Sequence, residues 1–172
     1  MAAIDLQANC ADCAALCCVL LPFDASAAFA FDKPALLPCV HLSRHRCTVH
    51  DRLSRLGFSG CERFNCFGAG QRVVQQVFGG KSWQDDPDLL TPMEAAFRTM
   101  RLLHESVAML DAAAALDLTT ADKAERLRLL ETLDPARVWT EAGLADFAAG
   151  PLLSEVRHYL ASLRGRLMAP HP

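Results

Sequence analysis

Apolar residues recur with a helical period in the second half of the chain and with no regular period in the first half. The longest periodic segment has steps of three and four residues and consists of Met93, Phe97, Met100, Leu103, Val107 and Leu110. A capping box over Thr91–Glu94, with Pro92 at the first helical position, predicts that this helix begins there. We expect the helix to extend to about Leu116 and its apolar stripe to be core.

Four further segments complete the predicted helical region. "QRVVQQVF" (71–78) ends at the glycine pair Gly79–Gly80, and the following "GGKSWQDDPDLL" is predicted to be a loop. Thr119 or Thr120 can cap a helix over "ADKAERLRLLETL", which Asp134–Pro135 ends. "VWTEAGLADFA" and "LLSEVRHYLASLRGRL" are predicted to be the last two helices. The count of about four or five helices predicts a small bundle.

The first half contains turn-forming prolines and glycines, no alternating pattern of useful length, and all the cysteines. We therefore predict a mainly α protein in two parts. Residues 1–70 form a loop-rich cysteine module that binds metal, and residues 71–172 form a helical region that packs on it. "FGAGQ", after Cys66, is predicted to be a turn into the Gln71 helix, because it lacks the strand and the Lys-Ser/Thr ending of a phosphate loop.

Composition and charge narrow the classes of function. The chain has 172 residues, 52% of them hydrophobic, and a formal net charge of −3, which suits one globular domain with or without a subdomain. Its scattered lysines and arginines argue against nucleic acid as a partner. The N-terminal residues do not form an export signal, and no stretch has the roughly 18–20 apolar residues that span a bilayer. We expect a soluble cytoplasmic protein with no membrane partner and with reduced thiols.

The eight cysteines all precede residue 67: Cys10, Cys13, Cys17, Cys18, Cys39, Cys47, Cys61 and Cys66. In a reducing compartment such thiols are metal ligands or redox groups more often than disulfides. Cys10-x2-Cys13 has the spacing at which one tight turn presents two sulfurs to an ion. The adjacent side chains of Cys17 and Cys18 are expected to point apart, which predicts two metal centres, a bridged cluster, or one ligand beside a bystander. By count, the eight thiols can form two four-sulfur sites, or one such site with spare thiols.

Other candidate residues are predicted to have supporting or surface roles. His41, His45 and His50 flank Cys39 and Cys47 and can replace a sulfur, although each alone is expected to lie at the surface or behind a ligand. Ordinary surface positions are predicted for His104 and Glu105, within the amphipathic helix, and for Asp85 and Asp86, in a loop beside Trp83.

"CADCAALCC", "PCVHLSRHRC" and "GCERFNC" together resemble the YkgJ-like cysteine cluster family, which is described as a zinc- or iron-chelating domain. The resemblance covers residues 10 to about 66, although the first block has the reverse of the spacing found in many members. The segment up to Cys39 is also similar to the N-terminal part of some bacterial pentapeptide-repeat proteins, but no such repeats follow here. Flagellin lysine methylases, thought to hold iron and sulfur, carry a similar cluster.

Three functional hypotheses follow. The first is a metal-binding protein that holds zinc, in two sites, with a helical region that can serve as a surface for a protein partner. The second is an iron–sulfur protein that serves electron transfer or a modifying enzyme such as a protein methylase. The third is an adaptor whose thiols are merely small buried residues. No catalytic residue or substrate is identified by the sequence.

Overall fold

Short elements separated by loops form the first half of the chain in the computed structural model, which describes residues 5–133 and 137–167. Helix α1 (Leu16–Leu20) comes first, and a two-residue antiparallel ladder follows, formed by β1 (Leu42–Ser43) and β2 (Arg46–Cys47). Two 3-10 turns, His50–Arg52 and Ser54–Leu56, lead to helix α2 (Ser59–Arg63). The loop-rich first half predicted from the sequence is confirmed.

Helices dominate the second half, so the predicted mainly α fold is confirmed as well. Helix α3 (Ala69–Arg72) continues directly into a π-helical turn, Val73–Val77. A 3-10 turn (Pro87–Leu89) precedes the longest helix, α4 (Leu90–Ala113). The chain then forms α5 (Thr120–Leu133), α6 (Glu141–Ala149) and α7 (Leu152–Leu167). The predicted stop at Asp134–Pro135 lies outside the described residues.

The predicted start of α4 is wrong. Thr91 lies inside the helix, which begins at Leu90 and has no side-chain cap at Leu89. The chain already turns three residues earlier, because the Asp86 carboxylate accepts the amide hydrogen of Asp88 at 3.2 Å and Pro87 fixes the start of a 3-10 turn. Pro92 then lies in the first helical turn, where a backbone N–H has no intrahelical acceptor, so the lack of an N–H on proline costs no hydrogen bond.

Side-chain caps start the next two helices, and the cap at Thr119 is the one that the sequence predicts. The Thr119 hydroxyl accepts the amide hydrogen of Asp122 at 3.2 Å, and the Asp122 carboxylate accepts the amide hydrogen of Thr119 at 3.1 Å. This reciprocal pair satisfies two of the amides that a helix start leaves unpaired. Thr140 caps α6 by accepting the amide hydrogen of Gly143 at 3.1 Å.

Helix α4 is the centre of the main hydrophobic core. The whole predicted stripe from Met93 to Leu110 is at most 2% exposed, so its assignment to the core is confirmed. Residues of the later helices, such as Leu129 and Val156, join the same cluster, and so do Leu16 and Val19 of α1. Residue 70, the predicted boundary between the two parts, falls within α3.

A second, smaller hydrophobic cluster lies in the first half. Its buried members are Val49, Leu53 and Phe58, and partly buried phenylalanines pack against them. Phe23 and Phe29 stack with ring centroids 4.4 Å apart. This cluster is too small to stabilise some forty residues of loop by apolar burial alone. In the part of the chain that the structure describes, no helix is both long and apolar enough to cross a membrane.

Candidate metal centre

All eight cysteines line one cavity of about 620 Å³. Leu16 and Phe97 of the main core contribute to its wall, and so do Val49 and Phe58 of the small cluster. Cysteines up to 56 residues apart in sequence are therefore gathered in one place by the fold. None of the residues that line this cavity is an aspartate or a glutamate.

A left-handed turn presents the first cysteines to the cavity. Ala14 and Ala15 have φ values of 47° and 54°, a region that non-glycine residues rarely adopt. The amide of Leu16 donates to the carbonyl oxygen of Cys13 at 3.1 Å, and the Cys13 thiol donates to the carbonyl oxygen of Cys10 at 3.5 Å. The reversal brings Cys10 and Cys13 beside the start of α1, and such strain is characteristic of functional sites.

Cys17 and Cys18 both face the cavity, with their Sγ atoms 3.9 Å apart. The expectation that these adjacent side chains point apart is therefore wrong. They lie in the first turn of the short helix α1, whose residues Leu16, Val19 and Leu20 are buried, and Cys17 also packs against the main core. Within this pair, the hydrogen bond from the Cys17 thiol lowers the pKa of Cys18 and raises the pKa of Cys17.

Backbone hydrogen bonds hold the middle cysteines against α1. The amide of Cys39 donates to the carbonyl oxygen of Cys18 at 3.0 Å, and the amide of Leu42 donates to the carbonyl oxygen of Cys39 at 2.9 Å. Leu42 then pairs with Cys47 across the β1–β2 ladder. Cys61 comes from α2, where its amide donates to the carbonyl oxygen of Phe58 at 3.0 Å.

Cys66 and Cys13 reach the cavity from the side of the main core. The carbonyl oxygen of Cys66 accepts the amide hydrogen of Ala69 at 3.0 Å, at the turn that begins α3. Gly68, in this turn, has a φ of 77°, so the sequence prediction of a turn at "FGAGQ" is confirmed. Gly70 lies against Cys13, because a Cβ atom at Gly70 would approach the Cys13 Cβ to 3.0 Å.

Partial burial favours the neutral form of most thiols, and it does so even where the residue as a whole is exposed, as for Cys10 and Cys61. Burial raises the pKa of Cys13 to about 11 and that of Cys61 to about 11, and it also raises the pKa of Cys10 and of Cys47. Neighbouring thiol groups reinforce each of these shifts. A divalent metal reverses this preference, since a coordinated thiol loses its proton outright.

A buried lysine provides positive charge beside the thiols. Lys33 is 4% exposed, and its Nζ donates to the carbonyl oxygens of Val19, Leu21 and Pro34 at 3.1, 2.8 and 3.0 Å. Three such bonds use all three hydrogens of an ammonium group. Among the described carboxylates, none forms an ion pair with Nζ. Burial lowers the pKa of Lys33, whereas the neighbouring Cys39, Cys18, Cys17 and Cys61 raise it.

Lys33 was not predicted as part of the site, although the sequence contains one signal for it. Lys33 is the only lysine or arginine before residue 44. An isolated cation in such a position indicates a specific partner.

The three histidines of the cysteine module lie at the rim of this arrangement. All three line the cavity, but His45 Nε2 is 2.7 Å from the Ser82 hydroxyl, and the His41 ring packs 5.3 Å from that of Phe58. His50 is exposed. Within residues 5–133 and 137–167, no group of three or more His, Cys, Asp or Glu side chains is arranged closely enough to hold a metal ion as it stands. The donor chemistry nevertheless fits soft metals, because eight thiols and no carboxylate surround the cavity.

Comparison with known proteins gives one relative. The chain is 42% identical over 136 residues to a protein of Bacillus subtilis (strain 168) described as "Uncharacterized protein YybG". The match covers 73% of this chain and 49% of that protein, so the chain spans about half the length of the curated relative it matches. No protein-family model matches the sequence. No solved structure matches it either.

Proposed function

We propose that this chain is a metal-binding protein that holds zinc through cysteine thiolates, with two zinc ions bound at the cavity. The observation that carries the proposal is the convergence of all eight cysteines on one cavity. Zinc takes four ligands in structural sites, and eight thiolates supply two complete sets. Thiolate sulfur is also the ligand type that zinc and iron–sulfur clusters select over carboxylate-binding metals.

Lys33 supports the proposal through its charge. A buried ammonium group without a counter-ion is unfavourable, and the neighbouring thiols of Cys39, Cys18, Cys17 and Cys61 can become negative. A zinc ion bound by four thiolates carries a formal charge of −2. Bound metal would therefore turn the neighbours of Lys33 from neutral dipoles into a partner of opposite charge.

The proposal also includes a cellular setting. Eight free thiols remain available as ligands in a reducing compartment, so we place the protein in the cytoplasm. We further propose a protein partner for the helical region, where Val138 is 71% and Leu127 is 47% exposed. Nucleic acid is not proposed as a partner, because the net charge is −3.

Metal analysis of anaerobically purified protein tests the proposal. We expect a colourless protein with about two zinc ions per chain and no acid-labile sulfide. A brown protein that contains iron and sulfide in similar amounts would replace zinc with the iron–sulfur alternative. A protein that contains neither metal, and binds no zinc when zinc is added, would refute metal binding altogether.

A further inference from the structure

We propose that the eight cysteines form two separate four-thiolate sites that meet at the Cys17–Cys18 peptide. The core-side site contains Cys10, Cys13, Cys17 and Cys66, and the loop-side site contains Cys18, Cys39, Cys47 and Cys61. This division rests on the proposed function, because it assigns ligands to the two zinc ions proposed above.

The core-side site is attached to the main hydrophobic core. Cys17 and Cys66 both pack against that core, and Cys13 is buried beside Gly70 of α3. Cys10 is tied to Cys13 by the thiol–carbonyl hydrogen bond of 3.5 Å.

The loop-side site is attached to the small aromatic cluster. Cys47 packs against Val49, Leu53 and Phe58, and the backbone of Cys61 is hydrogen-bonded to Phe58. The 3.0 Å bond between the Cys39 amide and the Cys18 carbonyl oxygen joins these residues to α1.

The surroundings of Cys17 and Cys18 place them in different sites. Their 3.9 Å separation is close to the edge of a zinc–thiolate tetrahedron, about 3.8 Å, and is also an ordinary contact between two sulfurs. Cys17, however, packs against the main hydrophobic core, as Cys66 does. The carbonyl oxygen of Cys18 instead accepts the amide hydrogen of Cys39, at 3.0 Å, which ties Cys18 to the loop.

The distribution of positive charge matches two negative sites in contact. Lys33 Nζ donates to the carbonyl oxygens of Val19 and Leu21, which follow Cys18 in the chain. Arg46 lines the cavity next to Cys47 in β2. Both cations therefore lie beside cysteines of the loop-side site, where positive charge offsets part of the repulsion between two metal–thiolate groups.

Zinc content of paired cysteine variants tests the division. The full-length double variants Cys13→Ser/Cys66→Ser and Cys13→Ser/Cys39→Ser each lack two thiols and are matched controls for one another. We expect the first, within one site, to keep about half of the wild-type zinc, and the second, across the sites, to lose nearly all of it. Equal losses in the two variants would overturn the division.

Cysteine alkylation of the wild-type chain gives the same information if a variant does not fold. Zinc-depleted, reduced protein receives one equivalent of zinc and is then alkylated and mapped by mass spectrometry. We expect half-protected chains to retain one complete site, either Cys10, Cys13, Cys17 and Cys66 or the other four. Protection that mixes the two sets within one chain would refute the division alone, whereas no protection by zinc at any ratio would refute the proposed function itself.

Discussion

His104 shows how a single polar residue in a helical core is stabilised. It was predicted to lie at the surface, and that prediction is wrong, because the side chain is 1% exposed in the middle of α4. Nδ1 donates to the carbonyl oxygen of Phe67 at 2.5 Å, and Nε2 accepts from Arg72 at 3.3 Å. Both ring nitrogens therefore have partners in the neutral form, and α4 is linked to the turn after Cys66.

A pH-dependent stability follows from this environment. Burial, with a further contribution from Arg72, lowers the pKa of His104 to about 4, against 6.5 for an unperturbed histidine. Between pH 6.5 and pH 4, His104 binds a proton more readily in the unfolded chain than in the folded one. The stability contributed by neutral His104 is therefore complete above about pH 6.5 and is lost as the pH falls toward 4. At 1.36 kcal/mol per pKa unit, this single group accounts for up to about 3 kcal/mol.

His104→Asn keeps a donor for Phe67 and removes the titration. We expect the variant to be less stable than wild type at pH 7.5, with the gap in unfolding free energy narrowing by about 2–3 kcal/mol by pH 4. Denaturant unfolding of both proteins across this range measures the gap, and any other pH effect shared by both proteins cancels in the difference. A gap that stays constant with pH would show that the titration of His104 does not contribute.

At the scale of elements, the sequence predicts helices well where periodicity and caps agree, and less well where neighbouring turns compete. The last helix is found at Leu152–Leu167, the segment predicted for it. Helix α4 instead starts at Leu90, because the 3-10 turn that Asp86 and Pro87 begin leads directly into the helix, ahead of the predicted capping box at Thr91. The π-helical turn at Val73–Val77 has no signal in the apolar spacing, which only indicates that a helix is present.

The turn at Gly68 gives a test at this scale. Its φ of 77° disfavours any other residue, and a Cβ atom there would lie 2.8 Å from the carbonyl oxygen of Asp5. Gly79 also has a positive φ, 61°, but a Cβ atom there would meet nothing within 4 Å. We expect Gly79→Ala to cost about 1 kcal/mol of stability and Gly68→Ala to cost clearly more, about 2–3 kcal/mol.

Thermal or denaturant unfolding of these two variants separates the cost of a positive φ from the cost of the steric contact with the N-terminal segment. Both replace glycine at a positive φ, so the difference between them isolates the contact with the N-terminal segment. If the two variants lost equal stability, the packing of residues 5–7 against the turn would contribute nothing.

At the scale of the whole molecule, the sequence predicts the eight cysteines as one set of candidate metal ligands. Which of them lie close together is seen only in the folded structure. Residue type and spacing indicate soft-metal ligands, and the Cys10-x2-Cys13 pair indicates a shared turn. Spacing cannot show that Cys39, Cys47 and Cys61 reach Cys18, because long-range backbone bonds and a separate aromatic cluster bring them together. The boundary at residue 70 and the identity of the ligands stay predictions.

The unequal burial of the two halves predicts how the molecule responds to loss of metal. Between Phe23 and Arg63 the buried apolar residues are few, whereas α4 is surrounded by helices that share a continuous core. Metal binding to such a loop-rich segment contributes folding free energy, on the order of 10 kcal/mol for a zinc site in small peptides.

We therefore expect removal of zinc under reducing conditions to increase amide hydrogen exchange in residues 23–63, including the amides of Lys33 and Cys39, and to leave α4 and α7 protected. Zinc added back should restore protection. Exchange that rises equally in α4, or that does not change in residues 23–63, would mean that metal does not stabilise this part of the chain selectively.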